Sequence, residues 1–322
     1  MTVPAPSGPP SADPGAAQAT AGTAAAEVAA VRAGDGGARR VLYPILLREL
    51  TVLRGRRVGA ALLRLTLGGP GLPGLISHCP DEHVRLVFPG HDGVLRLPEP
   101  DGDELRWPRP RAVTRDYSLR RFDPDAGEYG ELDLDVVLHD GGLASGWARA
   151  ATPGDRIHAA GPPDGLAVPD RFDRLLLAGD LTALPTMTRW VERLGPGTEA
   201  RVVVEVDGAT GRSGELDELE TAAARAGATV LSADRRADGP DALARAVAAL
   251  PTGPDGRLFA WAAGEAGTVK PLRRMLRDRF GLGPGEHDVT GYWKRGVAEF
   301  DDHDHGQHDR GQHDHGRHDH EH

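Results

Sequence analysis

The sequence predicts a fold of the β plus α/β class: an antiparallel β-barrel domain over residues 41–165, followed by a parallel-sheet α/β domain over residues 170–297. Three observations carry this expectation. The first part consists of short β-prone runs, several alternating apolar with polar residues and punctuated by Gly and Pro. In the second part, apolar strands alternate with helical stretches, which is the rhythm of βαβ units. Between them, residues 161–171 are rich in Gly, Pro and Asp and form the natural boundary.

Taken in order, residues 1–40 are dominated by Ala, Gly, Pro, Ser and Thr with almost no large apolar side chain, so a disordered segment is expected. Structure should begin near VLYPILLRELTVLRG, followed by VGAALLRLTLGG, EHVRLVFPG, GVLRLPEP, AVTRDYSLRRF and GELDLDVVLHD, whose spacing reads as a barrel. Beyond the boundary, RLLLAGD leads into LPTMTRWVERL, ARVVVEVDG into ELDELETAAARAG, TVLSAD into ALARAVAAL, and RLFAWAAGE into PLRRMLRDRF. A disordered His/Asp-rich tail is expected over residues 298–322.

Composition narrows the function. With 48 acidic and 38 basic residues the formal net charge is −10, which argues against a nucleic-acid partner. One cysteine, Cys79, excludes an intrachain disulfide, a Cys-rich zinc site and a Cys-ligated iron–sulfur cluster, so redox chemistry would need a bound cofactor. No basic-then-apolar leader and no run approaching about 18 apolar residues is present, so no membrane insertion and a cytoplasmic location are expected.

Four stretches carry chemistry. In TRDYSLRR (114–121), strand alternation places Arg115 and Tyr117 on one face and Ser118 on the other unless the strand bends. A cation beside an aromatic plane suits a ligand with a phosphate and a flat ring, although such residues also make an ordinary solvated face. In VVLHDGGLASGWARAATPGD (136–155), adjacent glycines lead into a short helix whose first N–H groups suit a pyrophosphate; an ordinary strand–turn–helix connection reads the same way. LLLAGDLTALPTM (175–187) runs an apolar strand into Gly179-Asp180 and a helix, and FAWAAGEAG (259–267) repeats that geometry. Open α/β sheets bind ligands at such strand ends, but no GxGxxG is present.

In this order and spacing the stretches resemble the siderophore-interacting protein family of flavin-dependent ferric reductases, within the ferredoxin–NADP reductase superfamily. The resemblance spans about residues 41–296. Its motifs are DEHVRLVFP (81–89), RDYSLR (115–120), VVLH with ASGWA (136–148), PGD (153–155), GDLTALP (179–185), WAAGE (261–265) and GYWKRG (291–296). It implies that the barrel binds FAD and the α/β domain binds NADPH or NADH. By resemblance, Arg115 contacts the FAD pyrophosphate, Tyr117 lies along the isoalloxazine and Ser118 approaches the reactive flavin nitrogen. His139 and the turn carrying Gly142, Ala144 and Ser145 match a second FAD-binding stretch, with Leu143 and Asp140 departing from the family's Pro and Gly. Asp180, Thr182 and Ala183 match the nicotinamide-domain signature, with Leu181 where Glu is usual, and Gly264 and Glu265 match the later nucleotide turn. Arg235 and Arg236 either grip a 2′-phosphate, favouring NADPH slightly, or belong to a solvated loop. Tyr292 and Trp293 either close over the flavin or pack a final strand on the core.

The implied activity is NAD(P)H-dependent reduction of a ferric siderophore or other Fe(III) chelate, with no protein acid, base or nucleophile required and hence no catalytic side chain assigned. Ferric chelates are often anionic, so a basic patch is expected; Arg120, Lys270, Arg273 and Lys294 are the candidates, with Arg121 and Arg295 beside them. The rival readings are a flavin oxidoreductase of the same fold with another acceptor, and a non-catalytic metal- or siderophore-binding protein.

The tail HDHGQHDRGQHDHGRHDHEH holds eight of the fourteen histidines: His303, His305, His308, His313, His315, His318, His320 and His322. Imidazoles at His-x-His spacing suit transition-metal ions. The tail lies beyond the last family motif, so it is expected to be a metal-sequestering or metal-sensing arm, or a solvated low-complexity segment with no metal role.

Overall fold

A computed structural model describes residues 14–208, 214–252 and 256–297. In chain order, helix α1 (Pro14–Arg32) precedes strands β1 (Arg39–Leu42), β2 (Leu47–Val58), β3 (Leu62–Gly68), β4 (His83–Phe88), β5 (Glu99–Asp101), β6 (Glu104–Arg106), β7 (Val113–Asp123) and β8 (Glu131–Val137). Helix α2 (Leu143–Ala150) leads to β9 (Arg156–Ala160) and β10 (Asp164–Ala167). The second part runs β11 (Arg174–Gly179), α3 (Leu184–Glu192), β12 (Glu199–Val206), α4 (Asp217–Ala226), β13 (Thr229–Asp234), α5 (Arg235–Asp238), α6 (Ala242–Ala249), β14 (Leu258–Glu265), α7 (Ala266–Phe280) and β15 (His287–Trp293).

Six strands close an antiparallel barrel in the order β2-β3-β8-β7-β4-β9. Its interior is filled by alternate side chains of each strand, including Leu50, Leu65, Leu67, Leu86, Leu119, Leu132 and Leu134, all 1% exposed or less. Each such leucine contributes roughly 1.5–3 kcal/mol of burial. The α/β part is a parallel sheet of order β13-β12-β11-β14-β15. Its strands read as near-continuous apolar runs because both faces are covered: α3 and α4 pack on one side, α6 and α7 on the other. The chain reverses its winding between β11 and β14, so their carboxyl ends open a crevice.

Three local expectations are corrected. Within residues 1–40, residues 14–32 form a helix rather than a disordered segment. Ala24, Val28 and Val31 share one helical face and bury against Val41, Tyr43, Ile76, Cys79 and Ala167. Counting large apolar residues overlooked this, because alanine has the highest helix propensity and loses no side-chain entropy on ordering. The run GVLRLPEP is mostly loop, with Val94 and Leu95 exposed. The boundary segment contains β10, which pairs antiparallel with β1 and ties the start of the barrel chain to its end.

The two parts meet along a seam of ion pairs. Arg189 of α3 donates to Pro80 O, Leu119 O, Ser77 Oγ and Glu82 Oε2 on the barrel. Glu82, fully buried, also accepts from Tyr43 Oη and from the N–H groups of His78 and Cys79. Arg64 pairs bidentately with Asp135 and reaches Glu218 of α4. Arg40 bridges Asp81, Asp164 and Asp288 of β15.

Candidate nucleotide and flavin sites

The strand carrying Arg115, Tyr117 and Ser118 pairs with β4 as far as Ser118 and with β8 from Leu119, with an irregular register between Leu119 and Arg121. The change of partner falls directly after Ser118, near where the sequence reading required a turn. Tyr117 packs at the edge of the barrel core, and burial pushes its phenol up to about 12, opposed by Arg115. Ser118 is buried, and Arg115 is partly exposed with a hydrogen bond from Nη1 to Thr114 O.

Helix α2 starts at Gly142 without a side-chain cap, leaving its first-turn N–H groups to other partners. The His139 ring lies against Gly142 so closely that a Cβ there would sit 2.2 Å from it, while a Cβ at Gly146 would meet nothing within 4 Å. The Ser145 hydroxyl is occupied within the turn, accepting from His139 N–H and donating to Val137 O. Its side chain therefore holds the turn's shape. Ala144, in the first turn of α2, is buried. An uncapped helix start, a guanidinium and a half-buried aromatic ring fit the phosphates and flat ring of FAD.

The crevice at the sheet's switch point is organised by Asp180. Its Oδ1 accepts from Thr182 N–H (2.8 Å) and Oγ1 (2.5 Å), and its Oδ2 from Glu265 N–H (2.9 Å) and Trp293 Nε1 (2.9 Å). One carboxylate thus joins the carboxyl ends of β11, β14 and β15. Two glycines permit this approach. A Cβ at Gly179 would lie 2.3 Å from Ala263 O, and Gly264, at φ +144°, would place one 2.7 Å from Asp180 Oδ2.

Other expected residues frame the crevice. Ala183 is fully buried with its N–H donated to Asp180 O, so it shapes the turn. Glu265 caps α7 by accepting from Thr268 N–H and also accepts from Arg295 N–H. Burial raises its carboxyl, but these bonds outweigh burial and hold it below the usual range. Tyr292 packs edge-on to Trp261 with centroids 6.3 Å apart, and Trp293 lies at the surface with the Arg295 guanidinium 5.8 Å from its ring centroid. Arg235 extends to Glu205, Thr268 Oγ1 and Pro240 O.

The expected chelate patch does not form as a unit. Arg120 is 7% exposed and belongs to the seam, pairing with Glu192 of α3 and Glu218 of α4; two carboxylates already compensate its charge, which removes it from a substrate surface. Arg273 donates to Val289 O and Lys270 is half-buried, both on α7 beside β15, while Lys294 is exposed just after that strand. Sequence reasoning missed Glu205, whose signal was an acidic residue directly after the apolar run Val202–Val204 of β12. The eight tail histidines lie outside the described residues; among the described residues no group of three metal-ligating side chains occurs.

A two-domain flavin and nicotinamide oxidoreductase architecture is what this barrel and crevice define. Residues 51–166 match the siderophore-interacting FAD-binding domain, and residues 172–296 match the siderophore-interacting protein domain. The chain belongs to the siderophore-interacting protein family and carries its FAD-binding domain. It is 32% identical over 264 residues to the ferric vibriobactin reductase of Vibrio cholerae, covering 80% of this chain and 92% of that protein. It is 38% identical over 162 residues to the NADPH-dependent ferric-chelate reductase of Escherichia coli, covering 48% of this chain and 60% of that protein. A siderophore utilization protein from T. fusca superposes with a TM-score of 0.71 at 34% identity, over 83% of this chain and 99% of that one.

Proposed function

We propose that this protein is an FAD-dependent reductase that takes electrons from NADPH or NADH and delivers them to a ferric siderophore or related Fe(III) chelate in the cytoplasm. Relatives bearing ferric reductase names support the substrate, and one of them is named as NADPH-dependent. The observation that carries the reading is the adjacency of the two sites: α3, which starts at the Asp180 crevice, packs along β7, which bears Arg115, Tyr117 and Ser118. When bound, FAD supplies the conversion between a two-electron donor and a one-electron acceptor.

The chain's own residues then have positioning roles. Arg115 and the uncapped start of α2 hold phosphate, and Tyr117 and Ser118 fix the ring against β7. Thr182 meets the donor with its hydroxyl proton committed to Asp180, so its oxygen is presented as an acceptor. Tyr292 and Trp293 close the region from β15. Lys270, Arg273 and Lys294 attract an anionic chelate despite the negative overall charge. Reduction to the softer Fe(II) loosens oxygen-rich chelators, so release needs no protein acid or base. The imidazole-rich composition of residues 303–322 supports a role in holding transition-metal ions, separate from the electron path.

The test is anaerobic. NADPH and NADH in turn should bleach the visible absorbance of the flavoprotein, and adding ferric chelate should restore it while an indicator traps Fe(II). A flavoprotein that bleaches but ignores ferric chelates has another acceptor. A protein that purifies without flavin absorbance and binds none when FAD is added is not this enzyme.

A further inference from the structure

Glu205 lies near the carboxyl end of β12 and is 7% exposed. Its Oε1 accepts from Arg235 Nη1 at 3.3 Å, while Oε2 is buried with no hydrogen-bond partner among the described residues. Leaving a carboxylate oxygen unsatisfied in the interior is costly, and in native proteins such a group calls for an explanation. Burial accordingly raises the Glu205 carboxyl above its usual range, opposed by Arg235. The residue sits among the crevice groups: Asp180 and Arg295 are close enough to act on its charge, and Thr268, on the first turn of α7, shares Arg235 with it.

Arg235 is loosely held. Its bonds to Glu205, Thr268 Oγ1 and Pro240 O are 3.3, 3.3 and 3.4 Å, at the long end for a guanidinium, and its side chain is 23% exposed. A donor phosphate has the charge and the oxygen spacing to draw it outward. Withdrawal of Arg235 would leave Glu205 facing the ligand with both oxygens unpaired. A ribose hydroxyl satisfies such a carboxylate, whereas a phosphate is repelled by it.

We propose that Glu205 sets the choice of nicotinamide donor, its carboxylate accepting the 2′-hydroxyl of NADH and opposing the 2′-phosphate of NADPH, while Arg235 favours the phosphate. The two side chains thus pull in opposite directions, and the crevice admits both donors. This rests on the donor reading given above and assigns the discriminating residue within it.

Binding of NADPH and of NADH to the FAD-loaded full chain is measured separately by titration calorimetry, which does not depend on turnover. Glu205→Gln keeps the side chain's shape and removes its charge. It should raise the ratio of NADPH to NADH affinity about tenfold, because one repulsion and one charged acceptor are lost together. Arg235→Ala, on the exposed side of the pair, should shift the ratio in the opposite direction by a similar factor. If both nucleotides bind but Glu205→Gln leaves the ratio unchanged, Glu205 does not discriminate and the proposal falls, with the donor reading intact. If wild-type protein binds neither nucleotide, the donor reading itself fails and takes the proposal with it.

Discussion

The seam between the domains and the crevice at the head of the sheet are both rich in buried charge, but they are finished to different degrees. At the seam, both oxygens of Glu82 and both terminal nitrogens of Arg189 have partners. In the crevice, Asp180 is equally well provided, yet Glu205 beside it keeps one buried oxygen without a partner among the described residues. A completed network rigidifies, whereas an incomplete one carries the cost of an unpaired buried group. The seam therefore holds β7 and the Asp180 crevice in fixed register.

The largest effect should come from breaking the seam. Arg189→Ala strands a fully buried carboxylate and removes donors from two carbonyls, which should cost about 3–5 kcal/mol. Replacing both partners, with Glu82→Leu and Arg189→Met, should not restore the loss: no charge is left unpaired, but Tyr43 Oη and the N–H groups of His78 and Cys79 lose their acceptor and the carbonyls of Pro80 and Leu119 lose a donor. Chemical denaturation of the FAD-loaded protein measures both, and a loss under about 1 kcal/mol for the single variant would show that the seam is not a stabilising element.

A smaller and more local effect is expected in the crevice. At Gly179 the obstruction is a carbonyl of the adjacent strand, which cannot swing aside as a side chain can. Gly179→Ala should therefore cost about 1–3 kcal/mol of stability. On the proposed reading it should also weaken NAD(P)H binding by shifting the Asp180 turn, while FAD, assigned there to β7 and α2, stays bound at its normal stoichiometry. Loss of flavin together with donor binding would mean that the two sites are not separable as the comparison requires.

How much of this was readable beforehand depends on the range of the interactions. The alternation of β3 and the apolar runs of β11 and β14 are local, so barrel and parallel sheet could be predicted. Gly179-Asp180 and Gly264-Glu265 could be found because each is a strand followed by a turn. Arg120 could not be placed: its partners Glu192 and Glu218 are 72 and 98 residues away, and a charged strand residue reads as solvent-facing until the second domain covers it. Arg64 was hidden in the same way, since strand periodicity says which side of a sheet a residue takes and nothing about what packs there. Helix α1 was passed over because its alanines offer little apolar area each, although Val28 and Val31 were spaced to bury. Glu205 was visible in ARVVVEV and went unremarked.

The mildest way to probe the seam is acid. Burial alone would raise the Glu218 carboxyl, but hydrogen bonds from Arg64 and Arg56 and the charge of Arg120 outweigh it and hold the group at about 2. A carboxyl lowered from its ordinary 4.5 stabilises the fold at pH values above 4.5, where it is ionised in both states. As pH falls from 4.5 towards about 2, the unfolded chain takes up the proton first and this contribution is lost. Glu218→Gln should therefore flatten the acid limb of stability against pH in that window while leaving NAD(P)H affinity at neutral pH unchanged, because its partners are seam arginines and none belongs to the crevice. The contribution should be modest, since Glu218 keeps about a third of its side chain in solvent and screening weakens the pairs. An acid limb identical to wild type would place the seam's pH dependence elsewhere, and a change in donor affinity would show that seam and crevice are coupled through α4.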